Sequence, residues 1–265
     1  MSELKVCKNR TELLGDRLKT RLFDFIWLSF LTFLFMVPLL VWIIYCNYVL
    51  VPQINTTNFF LMSLLVYLPY IPLGMVFGLG IGGALYYSKR LAWGEGANVT
   101  SDVFYGLRKN IKGSLISFFI LFLFYSLLKI GSLLATFSLE SVYASIVMGV
   151  LYVAFFLIFM IISFTLTQII IYTGKYTQLI SNSVKFTFGM FGWNLLFFFI
   201  ILLPFLVYEF VPFAIAQYVA LAVTLLFYLG FSLFLFTIYS YSIFDLTINQ
   251  DYPEIYRKGL EKDQE

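Results

Sequence analysis

The chain reads as an all-α, polytopic transmembrane helical bundle of about six spans, with the N-terminus and the C-terminus both cytoplasmic. Three observations predict this. Charged residues make up only 12% of the chain against 61% hydrophobic, too few to clothe a water-soluble surface. Apolar runs recur from residue 23 to residue 246, and a bilayer core about 30 Å thick takes roughly 20 apolar helical residues. Lys and Arg collect in segments that an even number of crossings places on one side.

Residues 1–22 are polar, with Leu14, Leu18 and Leu22 every four positions beside Arg17, Lys19 and Arg21. That spacing separates apolar and basic faces and predicts a cytoplasmic amphipathic segment along the interface. The first apolar run, 23–50, is too long for the hydrophobic part of a signal peptide and lacks a small-residue cleavage site, so it reads as an uncleaved span. The second, 59–87, carries Pro69 and Pro72 and then Gly74, Gly78, Gly80, Gly82 and Gly83, which predicts a kinked or broken helix. Spans three and four are 114–137 and 142–173, joined by a short outer turn. The last apolar stretch divides at Glu209, Pro212 and Gln217 into spans 194–210 and 218–246. The transmembrane domain is therefore 23–246, followed by a polar cytoplasmic tail, 247–265, that is expected to be mobile or surface-lying.

Basic residues set the orientation, because translocating short basic loops is unfavourable. Lys5, Lys8, Arg10, Arg17, Lys19 and Arg21, then Lys89, Arg90, Arg108, Lys109 and Lys112, then Lys175 and Lys185, then Arg257, Lys258 and Lys262 fall on one side. The loops around 51–58, 138–141 and 211–217 carry no Lys or Arg, and only Lys129 sits inside a span.

Histidine is absent, which removes the commonest metal ligand and the commonest neutral-pH base. Cys7 and Cys46 fall on opposite sides of the membrane and cannot pair. No catalytic, cofactor-binding or metal-binding motif is present, and no basic patch of the kind nucleic acid needs. Residues 78–83 fit G-x-G-x-x-G, but the motif lies in an apolar span and lacks the strand of a dinucleotide site. Gly74, Gly78 and Gly82 stand four apart on one helix face, so they are expected to let another helix approach closely.

Two further groups stand out. Lys129 and Glu209 are intramembrane charges, each about 16 positions, or roughly 24 Å of helix, from the inner end of its span. One reading pairs them across spans three and five, and the other lets each reach the outer headgroups alone. The inner segment 88–113 is the longest and most polar between spans. Its Glu95, Asp102, Phe104, Arg108, Lys109, Asn110 and Lys112 read either as a docking surface for a cytoplasmic partner or an anionic headgroup, or as an interfacial helix that enforces topology.

Around this segment the sequence resembles the YesL-like family of bacterial integral membrane proteins, a group without an established activity. The matching residues are Pro72 and Gly74, Gly82-Gly83-Ala84-Leu85, Gly94-Glu95, Asp102, Phe104, Gly106 and Lys109-Asn110, with a second match over 179–194. The specific part covers about forty residues, and it departs from the family's D-F-F by reading Asp102-Val103-Phe104. The resemblance implies an accessory role in carbohydrate import at a bacterial cytoplasmic membrane, beside a transporter complex. The expected function is thus a non-enzymatic, transport-associated membrane protein with the lipid bilayer as its first partner. The alternative is a transporter or channel subunit in its own right.

Overall fold

A computed structural model describes residues 6–55 and 57–261, and the backbone alone of residues 208–210. The chain is an all-α polytopic bundle, and the described residues contain no strand. In chain order the helices are α1 (Arg10–Thr20), α2 (Leu22–Tyr45), α3 (Phe59–Tyr67), α4 (Tyr70–Ala92) and α5 (Val99–Ser138). They continue with α6 (Ser141–Ile171), α7 (Tyr176–Gly189), α8 (Phe191–Phe210), α9 (Ala214–Val223) and α10 (Leu229–Leu246). Five continuous stretches are long and apolar enough to cross a membrane: Leu22–Gln53, Phe59–Ala92, Val99–Ser138, Ser141–Ile171 and Ala214–Leu246. The bent pair α7 and α8, turned by 97° between them, brings the number to six when counted as one span.

Proline and glycine place the breaks. Leu68 and Pro69 separate α3 from α4, and Pro72 falls in the first turn of α4, where a missing N–H breaks no helical bond. The last apolar stretch breaks at residues 211–213, beside Pro212. The rejoined α9 and α10 widen into a π turn over Thr224–Tyr228. There Ser29 of α2 donates from its hydroxyl to the Phe227 carbonyl at 2.8 Å and accepts from the Gly230 N–H at 2.7 Å. A side-chain hydroxyl from a neighbouring helix thus occupies the polar groups at the irregular turn.

Helix α4 is the centre of the bundle, packed by α2, α5, α6 and α10. Gly74, Gly78 and Gly82 lie under Phe122, Phe118 and Ser114 of α5, and a Cβ at any of them would come within 2.2 Å of those side chains. Gly80, two residues from Gly78 and so on the opposite face, lies against Phe35 of α2. Stripped of side chains on two faces, α4 admits both neighbours at close range. The core continues as aromatic packing between α6, α8 and α10, where Phe164, Phe198 and Phe236 meet at centroid distances of 5.3 to 5.9 Å.

Three parts differ from the sequence expectation. The expected inner loop 88–113 is helix except for the turn between Ala92 and Val99, and the third span grows to the 40 residues of α5. At 1.5 Å per residue α5 is about 60 Å long, twice a hydrocarbon core. Hydropathy marks where a helix is apolar, not where it ends. The segment before the fifth span is a separate helix, α7, and the tail is docked rather than loose. Its Leu260 forms a parallel bridge with Cys7, and the Glu261 N–H donates to the Cys7 carbonyl at 2.9 Å. The segments at Cys7 and at Leu260 and Glu261 therefore lie together at the basic end of the bundle.

Candidate functional site

The basic end is organised by the turn between α4 and α5. Trp93 is the C-cap of α4 and Gly94 follows with φ +71°. The Glu95 N–H donates to the Arg90 carbonyl at 3.0 Å and the Gly94 N–H to the Leu91 carbonyl at 3.3 Å, a Schellman closure. Asn98 then caps α5 by accepting from the Ser101 N–H at 3.2 Å. Asp102 reaches back to accept from the Asn98 N–H at 2.9 Å. Across the turn the Arg90 guanidinium donates to Asp102, to Glu95 at 3.1 Å and to the Gly96 carbonyl at 2.8 Å.

This geometry divides the candidate docking residues in two. Glu95, Asp102 and Asn110 are structural. Glu95 receives Arg90 and Lys258, Asp102 is buried in the cap, and the Asn110 amide donates to the Gly106 carbonyl at 3.0 Å. Phe104, Arg108, Lys109 and Lys112 are exposed, together with Tyr105. They form one outward face of α5, at spacings of three and four residues. Gly106 lies against Tyr86 of α4, where a Cβ would come within 2.3 Å, so the exposed face stands on a tightly held helix.

Gly74, Gly78 and Gly82 line the α4–α5 contact described above. Lys129 lies on α5 with its ammonium 5.5 Å from the centre of the Tyr125 ring. The Glu209 side chain, the other half of the pairing with Lys129, lies outside the described residues. Among the described residues no group of three or more Cys, Asp or Glu is arranged to hold a metal.

Other polar residues at this end were not singled out from the sequence. Arg10 donates to Asp245 at 2.8 Å and to the Lys258 carbonyl at 3.0 Å. Tyr172 donates to the side chain of Asn249, which in turn donates to Asp245 at 2.6 Å. Burial raises the Tyr172 phenol well above its ordinary range, followed by the charge of Asp245, so it stays protonated and a donor. Lys258 sits 3.7 Å from the centre of the Trp93 ring and 3.5 Å from Glu95. The charges are visible in the sequence, but Arg10 finds Asp245 and Lys258 finds Trp93 and Glu95 more than 150 positions away, which the sequence does not display.

No family model matches the chain, and neither a curated protein nor a solved structure does.

Proposed function

We propose that this chain is a non-enzymatic accessory protein of a bacterial cytoplasmic membrane, and that the outward face of α5 docks an acidic surface of a membrane transporter complex. The observation that carries the reading is the contrast within one segment. Asp102 and Asn110 are spent on holding α5, while Phe104, Arg108, Lys109 and Lys112 face outward on the same rigid helix. Aromatic residues beside cations are the usual anchors of a protein interface, and exposed positive charge steers association with an acidic partner. The close aromatic packing between α6, α8 and α10 favours a structural role for the interior over a solute path. Carbohydrate import as the process rests on the YesL-like resemblance, and the cytoplasmic placement on the distribution of Lys and Arg.

The test is crosslinking in intact cells from a photoreactive residue at position 104, repeated with Arg108→Gln, Lys109→Gln and Lys112→Gln combined. The expected result is a single stoichiometric transporter component whose yield collapses in the triple variant. Undiminished recovery removes the docking face. Solute flux through liposomes holding the purified chain alone would instead make it a transporter.

A further inference from the structure

Helix α7 has 14 residues, about 21 Å of helix, and falls short of a hydrocarbon core of about 30 Å, whereas the 20 residues of α8 match it. Helix α8 runs antiparallel to α10, from Asn194 on Tyr239 to the Ile200 carbonyl, which accepts from the Tyr228 hydroxyl. The 97° turn between α7 and α8 therefore lays α7 across the bundle. Three contacts fix its depth. The Tyr176 hydroxyl meets the Ser117 hydroxyl of α5 at 2.9 Å. The Gln168 amide of α6 donates to the Ser183 hydroxyl at 2.6 Å and to the Leu179 carbonyl at 3.1 Å, and the Phe186 ring lies 5.1 Å from that of Phe244 on α10. Gln168 and Phe244 belong to the last turns of their helices, and Ser117 lies one turn inside residue 114, where the third apolar run begins. Helix α7 thus passes from α5 across α6 to α10 at the level where hydrocarbon gives way to headgroups.

The surface of α7 divides in three. Leu179, Ser183, Phe186 and Thr187 are buried against the bundle. Of the rest, Ile180, Val184 and Phe188 follow one another at four-residue spacing along one outer edge, and Gln178, Ser181 and Lys185 line the other. In water the first edge would stay wet, and in hydrocarbon the second would be stripped of its solvent. Only at the boundary does each edge meet its own medium. The apolar edge continues round the bend, where Phe188 stacks on Phe191 at 6.2 Å and the exposed Trp193 opens α8, aromatic residues of the kind that collect at a membrane interface.

The charge of this segment has one sign. Lys175 and Lys185 are exposed at either end of α7, and no carboxylate occurs between Glu140 and Glu209. On the helices packed against α7, Asp102 is held by Arg90 and Asp245 by Arg10, while Glu209 belongs to the far end of α8. Among the described residues neither lysine is ion-paired, with the exposed Asp251 and Glu254 of the tail or with any other carboxylate.

We infer that α7 lies in the plane of the membrane surface at the basic end of the bundle and docks anionic phospholipid headgroups through Lys175 and Lys185, with Val184 and Phe188 beside the acyl chains. The inference rests on the membrane placement of the bundle and is independent of the docking proposed for α5.

The full chain, with Cys7 and Cys46 replaced by Ala, is placed in mixed vesicles of phosphatidylcholine and phosphatidylglycerol with a nitroxide at position 178, 181, 184 or 188. Labels at 184 and 188 should collide preferentially with oxygen, and those at 178 and 181 with a water-soluble nickel chelate. Uniform oxygen access at all four positions, or uniform nickel access, overturns the in-plane placement. Headgroup choice is read locally, from a tryptophan at position 188 with the native tryptophans replaced by Phe, quenched by brominated phosphatidylglycerol or brominated phosphatidylcholine at equal mole fraction. Phosphatidylglycerol should quench more, and Lys175→Gln combined with Lys185→Gln should lower that preference about fivefold or more. Lys175→Arg combined with Lys185→Arg should keep it, and an unchanged thermal midpoint shows that each variant is folded. Equal quenching by the two lipids before any lysine is changed overturns the headgroup assignment, as does a preference that survives in the Gln pair.

Discussion

The guanidinium of Arg90, in the last turn of α4, is gripped by the carboxylate of Asp102, in the first turns of α5. The same guanidinium spans Glu95 and the Gly96 carbonyl, so one planar fork closes the whole connection between the two helices. Asp102 is buried whereas Arg90 is 29% exposed, which tempers the cost of breaking the pair. Asp102→Ala should therefore lower stability by about 1–3 kcal/mol, and Asp102→Asn by less, because an amide oxygen still accepts from the Asn98 N–H. Arg90→Lys should also destabilise, since an ammonium cannot reproduce the fork. Equilibrium unfolding in mixed micelles measures all three, and equal losses for Asn and Ala would contradict the capping role.

Close approach of α4 and α5 predicts opposite outcomes at two glycines. Gly78→Ala sets a methyl against the buried Phe118 ring, which cannot swing away, and should cost about 1–3 kcal/mol. Gly15→Ala, inside α1 with open space around it, should stabilise by about 0.5–1 kcal/mol through helix propensity. Melting curves for the pair should shift in opposite directions.

Asn194 makes the sharp bend between α7 and α8 affordable. Its amide donates to the Phe186 carbonyl at 2.8 Å and the Thr187 carbonyl at 3.0 Å, and its oxygen accepts from Tyr239 at 2.6 Å. Carbonyls in the last turn of a helix have no partner within it, so α7 ends on a side chain from α8. Asn194→Leu leaves these groups buried and unpaired, with an expected loss of about 2–4 kcal/mol. Hydrogen exchange across residues 186–194 should quicken in that variant, and unchanged protection would refute the capping.

The tail is held by weaker contacts. Lys258 over Trp93 and against Glu95 is a partly exposed arrangement worth about 1 kcal/mol at most. Lys258→Gln should therefore raise amide exchange over residues 252–261 several-fold without changing the global midpoint. Trp93 emission, read with the other tryptophans replaced by Phe, should shift as the tail loosens. A change in the global midpoint instead would mean the tail is part of the cooperative core.

Orientation is checked directly. Single cysteines at positions 58 and 140 should react with an impermeant maleimide from outside the cell, and one at position 108 only after the membrane is opened. Cys7 and Cys46 are both buried and should react slowly. Labelling of position 108 in intact cells would reverse the assignment of the basic end to the cytoplasm.

Much of the fold was legible because it depends on the sequence locally. Pro69 and Pro212 sit where helices break, and Gly74, Gly78 and Gly82 recur on one face, which periodicity alone displays. The candidate docking segment was legible only as a set of residues. Asp102, Asn110 and Phe104 look alike in a polar stretch, and only the capping bonds separate the buried ones from the exposed.

By itself the sequence determined the membrane class, the apolar runs and the side on which the basic residues gather, because transfer from water to hydrocarbon is a property of each segment taken alone. The tertiary structure decided the 97° bend between α7 and α8, the inward turn of Asp102 and the joining of Arg10 to Asp245 across 235 positions. Those depend on which buried polar group finds which partner, and that is settled only when distant helices are packed together.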